Sequence, residues 1–206
     1  MKDEIMSVVE NMGEFVLDSV MPEGILKDLP IIGPVFSGIK IGKDIRDRIF
    51  VEKLKSFIEN IDRNQKWQEK FSNVDDCNKI SKYLLYIINS CDDDNKLRLI
   101  GIAFNCFVNG EISRTQYFYI VHIISKSFYP FLEILLDIDE SDIRFKNDGK
   151  KYDYTGITHL LDIGLLEHAG QTVAIISNEE IVEPAAVIVA LNDYGIFLKK
   201  LVEKLK

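Results

Sequence analysis

The side chains that could hold a metal ion or act as a nucleophile are few and widely separated. Three histidines, His122, His159 and His168, are too scattered to form a ligand set. His122 lies in the apolar stretch YIVHIIS, which predicts a hydrogen-bonded core histidine. The three cysteines include no CxxC pair, and each lies in an apolar helical pattern that predicts a small buried side chain. They are Cys77, Cys91 and Cys106. The sequence therefore predicts no metal ion and no redox site.

The short motifs of enzymes are missing as well. The run Asp92–Asp94 lacks the spaced ligands and the distal glutamate of a calcium loop, so it predicts a helix cap. Ser113 and Thr115 lie outside any GxSxG context. The segment GPVFSGIKIGK lacks the spacing of a phosphate-binding loop and a preceding strand. We therefore expect no enzymatic activity, no cofactor and no small-molecule substrate.

The segment with the most unusual composition runs from residue 24 to residue 63. Residues 29–41, LPIIGPVFSGIKI, are apolar, but 13 residues are too few to span a bilayer, which needs about 20. A helix with interspersed cations follows, and this combination is typical of a surface that lies on anionic lipid or in a partner's groove. The candidate surface consists of Ile31, Ile32, Val35, Phe36, Ile39, Lys40, Lys43, Arg46, Arg48 and Ile49.

The same segment has a plainer interpretation, in which a long helix packs on the core. Acidic residues interleave with the cations, which weakens attraction to anions and favours ion pairs along the helix. The apolar positions expected to face the core are Ile41, Ile45, Ile49, Leu54, Phe57, Ile58 and Ile61. Small residues between 33 and 42 would also allow a second helix to approach closely, so self-association is a third possibility.

Helical periodicity dominates the chain as far as residue 137. The predicted helices cover residues 4–20, 34–60, 64–72, 75–89, 95–109 and 113–137. Asp75 or Asp76 is expected to cap one of them and a residue within 92–95 the next, which Gly110 ends. Pro130 predicts a kink or a break in the last.

The pattern changes near the C-terminus, and no strand-like alternation precedes residue 170. Residues 171–177 and 185–192 predict two strands joined by the turn-rich segment 177–184. A helix ending near Gly164 precedes them, and a helix capped by Asn192 or Asp193 follows. Helix, hairpin and helix in about 55 residues are the layout of a winged-helix module.

The predicted fold class is therefore mainly α: a helical bundle with a C-terminal winged-helix-like module that contains one β-hairpin. Three domains are expected. Residues 1–62 hold the N-terminal helix, the apolar segment and the long amphipathic helix; residues 63–147 form the helical core; residues 150–206 form the winged-helix-like module.

Charge disfavours nucleic acid as the partner. The net charge is −8, and the 150–206 module has six lysines against eight acidic residues. The helix in the recognition position, about Thr155–Leu166, contains neither lysine nor arginine, although base edges and phosphates are read by such side chains. A winged-helix DNA-binding regulator is therefore the weakest of the functions considered.

The C-terminal segments resemble the Abi-alpha-like proteins, a bacterial family associated with abortive phage infection. The similar residues are LLDIGLLEHAG at 160–170, the hairpin that follows, and ALNDYGIFLKKL at 190–201, where Asn192 replaces the threonine typical of relatives. The segment at 26–54 is similar to one that recurs in proteins of bacterial defence and mobile elements. The resemblance implies a role near phage defence and carries no reaction with it.

The N-terminus predicts the compartment. Asp3, Glu4, Glu10 and Glu14 interrupt the stretch where a secretion signal needs an apolar core, so a cytoplasmic protein is expected. The leading functional hypothesis is a non-enzymatic interaction protein that binds a protein partner or itself. The alternative is a peripheral membrane effector at the inner face of the membrane, which would use residues 29–57. In that case Phe36→Asp would abolish lipid binding without unfolding the protein.

Overall fold

The computed structural model describes residues 45–62, 74–138, 143–146, 154–173, 175–177, 180–183 and 186–206. Seven α-helices lie in these ranges: α1 Ile45–Ile58, α2 Val74–Ser90, α3 Asp94–Val108, α4 Arg114–Lys126, α5 Tyr129–Glu133, α6 Tyr154–Asp162 and α7 Asp193–Leu205. The strands are β1 Ile143–Lys146, β2 Leu166–Thr172, β3 Ile175–Ser177, β4 Glu180–Glu183 and β5 Ala186–Leu191. The predicted class is confirmed, since the protein is mainly helical and a β-hairpin follows the helices.

The chain divides into two compact units after Arg114. The predicted division into three domains stays a prediction. In the first unit, α1 packs against both α2 and α3. Its core is apolar and includes Val51, Leu54, Phe57, Leu84, Ile88, Leu97, Ile100 and Phe104.

The contact between α1 and α3 is close because α3 carries a glycine where the helices meet. A Cβ atom on Gly101 would lie 2.6 Å from the carbonyl oxygen of Phe57. The rings of Phe57 and Phe104 then meet edge to face, with centroids 6.1 Å apart. Asn105 of α3 holds the chain just after α1. Its side-chain amide donates to the Asn60 carbonyl oxygen, and its Oδ1 atom accepts from the Asp62 N–H.

The helix α2 corrects one predicted cap. It begins at Val74, so Asp75 and Asp76 lie within its first turn and do not precede it. The cap of α3 is confirmed, because the Asp93 side chain accepts from the backbone N–H groups of Asn95 and Lys96. Gly110, with φ of +79°, ends α3 as expected.

In the second unit, the long helix predicted over 113–137 is interrupted. The helix α4 ends at Lys126, and α5 starts at Tyr129 with Pro130 in its first turn, followed by a 3₁₀ turn at Ile134–Leu136. Proline suits a first helical turn because the N–H that it lacks would have no partner there. The break therefore falls just before the proline.

The sheet is larger than the predicted hairpin. Strands β2 and β5 pair antiparallel, β1 pairs with the other edge of β5, and β3 and β4 form a separate antiparallel pair. The expectation of no strand before residue 170 was wrong, since β1 and the start of β2 precede it. β4 also occupies the segment predicted to be a turn.

The last helix buries a face that agrees only in part with the sequence pattern. Asn192 caps α7 by accepting from the Gly195 N–H at 3.0 Å, as expected. The buried residues are Gly195, Leu198, Leu201 and Val202. Of the four residues that the sequence predicts for this face, Leu201 is buried, whereas Ile196, Phe197 and Leu205 are only half-buried. Gly195 is required because a Cβ atom there would collide with the Leu165 carbonyl oxygen.

Candidate binding surface at the start of α1

The predicted surface is represented in the structure by three residues at the start of α1. Arg46, Arg48 and Ile49 all lie there, and all three are exposed. The other seven members fall outside the described residues: Ile31, Ile32, Val35, Phe36, Ile39, Lys40 and Lys43. The structure therefore tests only the C-terminal end of that surface.

Two isoleucines expected in the core are exposed on α1. Ile45 is 72% exposed and Ile49 is 50% exposed. The reason is their spacing from Leu54, which is fully buried. Nine residues separate Ile45 from Leu54, which is two and a half turns of an α-helix, so the two side chains point to opposite sides. The prediction that Ile45 and Ile49 face the core was wrong. It is confirmed for the other described members of the same predicted face, which are Leu54, Phe57, Ile58 and Ile61.

The start of α1 extends beyond the packed part of the helix. Val51 is the first buried residue of α1 among the described side chains. Further along, the Lys53 ammonium donates to the carbonyl oxygen of Asn89, next to the end of α2, at 2.8 Å. The six residues before Val51 rise about 9 Å along the helix axis. They form about a turn and a half of helix that precedes the first buried residue and has an apolar and cationic surface.

The exposed side chains in the first two turns of α1 form a mixed apolar and charged face. At 100° per residue, Arg46 and Arg48 flank the isoleucine pair on either side, and Glu52 lies on the same side as the isoleucines. We call Ile45, Arg46, Arg48, Ile49 and Glu52 the α1 outer face. Within the part of the chain that the structure describes, neither arginine forms an ion pair.

An acidic loop lies beside Lys53, between α2 and α3. The carboxylate of Asp92 accepts from the Lys96 ammonium at 2.7 Å, and this hydrogen bond, helped by the charges of Lys96 and Lys53, lowers the pKa of Asp92. Lys96 is almost completely buried, whereas the Asp92 side chain is 79% exposed. Asp93 caps α3, and Asp94 is exposed in its first turn.

The histidines do not converge on a site. His122 is exposed, which corrects its prediction as a core residue. His159 is half-buried against the ring of Phe131, and its Nε2 atom accepts from the Phe128 N–H at 3.4 Å. His168 is exposed on β2. Among the described residues, no group of three or more histidine, cysteine or acidic side chains could hold a metal ion.

The two cysteines whose side chains are described, Cys91 and Cys106, are buried, as predicted, and neither forms a disulfide bond. Burial raises the pKa of the Cys91 thiol, which also donates to the Asp93 carbonyl oxygen at 3.5 Å. A thiol with a raised pKa is a weak nucleophile near neutral pH. Cys91 therefore serves packing at the α2–α3 junction.

A second surface feature is a shallow depression on the hairpin. It has a volume of about 370 Å³ and is open to solvent. Its lining residues are His168, Ala169, Gly170, Gln171 and Val187. This lining offers one titratable side chain, which is too little for acid–base chemistry by a pair of groups.

None of the described helices is by itself long and apolar enough to cross a membrane. The helices on either side of Phe128, Arg114–Lys126 and Tyr129–Leu136, reach that length and hydropathy only together, and they meet at 117°.

No protein-family model, no curated protein and no solved structure matches this chain. The resemblance to Abi-alpha-like proteins therefore stays a prediction. The α1 outer face is one part of the described molecule where exposed apolar and charged side chains lie together.

Proposed function

We propose that the protein is a non-enzymatic interaction protein of the bacterial cytoplasm, which binds its partner through the α1 outer face. The observation that carries this proposal is the exposure of Ile45 and Ile49 on the side of α1 opposite the core, between two arginines. When a partner covers two apolar side chains that lie one turn apart on a helix, their apolar surface is removed from water, and this burial favours binding. The similarity to Abi-alpha-like proteins extends the proposal to phage defence by abortive infection.

Crosslinking in living cells tests the proposal without knowledge of the partner. A photoreactive phenylalanine analogue at position 49 is expected to give one discrete crosslinked species. The matched control is the same analogue at Glu59, an exposed position immediately after the C-terminal end of α1 and away from the α1 outer face. Adducts from neither position, or equal adducts from both, would contradict the proposal.

A peripheral membrane effector is the second candidate. It is favoured by the two arginines that flank the isoleucines, because cations beside an apolar stripe meet anionic head groups at a membrane surface. Flotation with anionic and with neutral vesicles tests it. Anionic vesicles are expected to carry the wild-type chain and to lose the Ile49→Asp variant. If the wild-type chain stays with the soluble fraction in both cases, this candidate is wrong.

A further inference from the structure

The α1 outer face combines charges of both signs, which narrows the choice of partner. Glu52 lies on the same side of α1 as the exposed isoleucines, whereas Arg46 and Arg48 lie to either side of them. An anionic bilayer would repel Glu52 at the centre of the contact. A partner with its own cations and carboxylates at matching positions would satisfy all three side chains.

We propose that this partner is a second copy of the same chain, with the two α1 helices antiparallel about a twofold axis beside Ile49. The inference rests on the proposed function, since it names the partner of that same surface. A twofold axis brings each patch against itself, so Ile49 meets Ile49 and the apolar pairs cover one another. Within the described residues, this contact uses side chains that are already exposed, since Ile45 is 72% and Ile49 is 50% exposed.

The charges on one side of the helix match across this axis. Arg48 and Glu52 lie on the same side of the isoleucine stripe. In an antiparallel pair, that side of one helix faces the same side of the other. Arg48 of each copy then comes within about two residues, or 3 Å along the axis, of Glu52 of the other. Two symmetric ion pairs result.

The other side of the stripe carries Arg46 and Lys53, and the acidic loop lies beside Lys53. The Lys53 ammonium contacts the Asn89 carbonyl and lies close enough to Asp92 for its charge to act on that carboxylate. In the antiparallel pair, Arg46 of one copy lies level with Lys53 of the other copy. The exposed Asp92 carboxylate, whose pKa responds to the charge of Lys53, would offset these two like charges.

A contact formed by the first turns of one helix is small, so we expect a weak dimer. Stable interfaces bury about 1,200–2,000 Å² in total, and dimers below that range dissociate readily on dilution. Sedimentation velocity on the full chain should therefore cover concentrations up to several hundred micromolar. The expected result is a monomer–dimer equilibrium.

Reversing the charges in separate chains tests the geometry. Arg48→Glu places two negative charges on each α1, and Glu52→Arg places two positive charges there. Each variant alone is therefore expected to have a dimer dissociation constant about tenfold or more above that of wild type. Mixed in equal amounts, the two variants place opposite charges across the axis and are expected to regain the wild-type dimer. The gain cannot come from pairing within a helix, because each chain still holds two like charges.

Lys55→Glu and Glu59→Lys form the matched control. The two residues have the same spacing of four as Arg48 and Glu52 but lie at the C-terminal end of α1, beyond the proposed contact, with 3.9 Å between the ammonium and the carboxylate. Neither variant should change dimerisation. A wild-type chain that stays monomeric, or variants that fail to recover on mixing, would overturn the inference. A crosslink from position 49 to a different protein would do so too, while leaving the proposed function intact.

Discussion

Asp93 illustrates how one side chain sets the start of a helix. Its carboxylate accepts from the backbone N–H groups of Asn95 and Lys96 at 2.8 and 3.2 Å, two donors that have no partner within α3. We expect Asp93→Ala to lower the free energy of unfolding by about 1 kcal/mol, and Asp93→Asn, which keeps the acceptor, to stay close to wild type. Urea unfolding followed by circular dichroism measures both. Equal losses in the two variants would show that the cap is not the cause.

The neighbouring Asp92 makes stability depend on pH. The hydrogen bond from Lys96 lowers the pKa of Asp92 in the folded protein, whereas an unfolded aspartate has a pKa of about 3.9. Its stabilising effect is therefore complete above that value and is lost as the pH falls through the lower pKa of the folded state. Asp92→Asn should be less stable than wild type at neutral pH and equally stable in strong acid. Denaturant unfolding across this range checks the sign, and a constant difference at every pH would contradict it.

At the scale of elements, the sequence predicted helices better than strands. The apolar positions of α3, Leu97, Ile100, Ala103, Phe104 and Phe107, recur at intervals of three and four, and all are buried. In β2, the side chains from Glu167 to Gln171 are all exposed, so no alternation marks the strand. Backbone pairing with β5 defines β2, and local periodicity carries no sign of it.

The candidate surface was predictable only in part. Arg46 and Arg48 were identified from composition. Ile49 was placed on the candidate surface in one interpretation and on the core face in the other, whereas Ile45 was placed only on the core face. Counting residues between Ile45 and the buried Leu54 would have placed Ile45 outside. The position of the acidic loop beside α1 depends on the hydrogen bond from Lys53 to Asn89, which joins residues 36 apart in sequence.

The packing of α1 on α3 depends on Gly101. An added Cβ atom would lie 2.6 Å from the Phe57 carbonyl oxygen. Because this oxygen belongs to the backbone of α1, the clash is relieved only if the two helices move apart. We expect Gly101→Ala to lower the free energy of unfolding by about 1–3 kcal/mol. Gly156→Ala is the comparison, because its closest contact is the terminal carbon of Ile134, a flexible side chain that can turn away. The midpoint of urea unfolding should fall more for Gly101→Ala, and the reverse order would contradict this account.

At the scale of the whole molecule, α1 is positively charged although the chain as a whole is negative. The chain has a net charge of −8, yet α1 carries four basic and two acidic side chains. Two of the basic residues, Lys53 and Lys55, make contacts within the first unit. The arginines near the start of α1, Arg46 and Arg48, are exposed beside the exposed isoleucines, so a partner can reach both cations and apolar side chains there.

The two compact units each have a core of their own, which predicts separable responses to core substitutions. Phe57 lies in the first core and Leu198 in the second, and both are fully buried. Truncating either to alanine should cost about 2–5 kcal/mol in its own unit. Hydrogen exchange on the full chain measures where the loss falls, because amides exchange faster wherever local unfolding becomes easier. Phe57→Ala should accelerate exchange in α2 and α3 more than in α7, and Leu198→Ala should do the opposite. Equal acceleration throughout both variants would mean that the chain unfolds as one cooperative body.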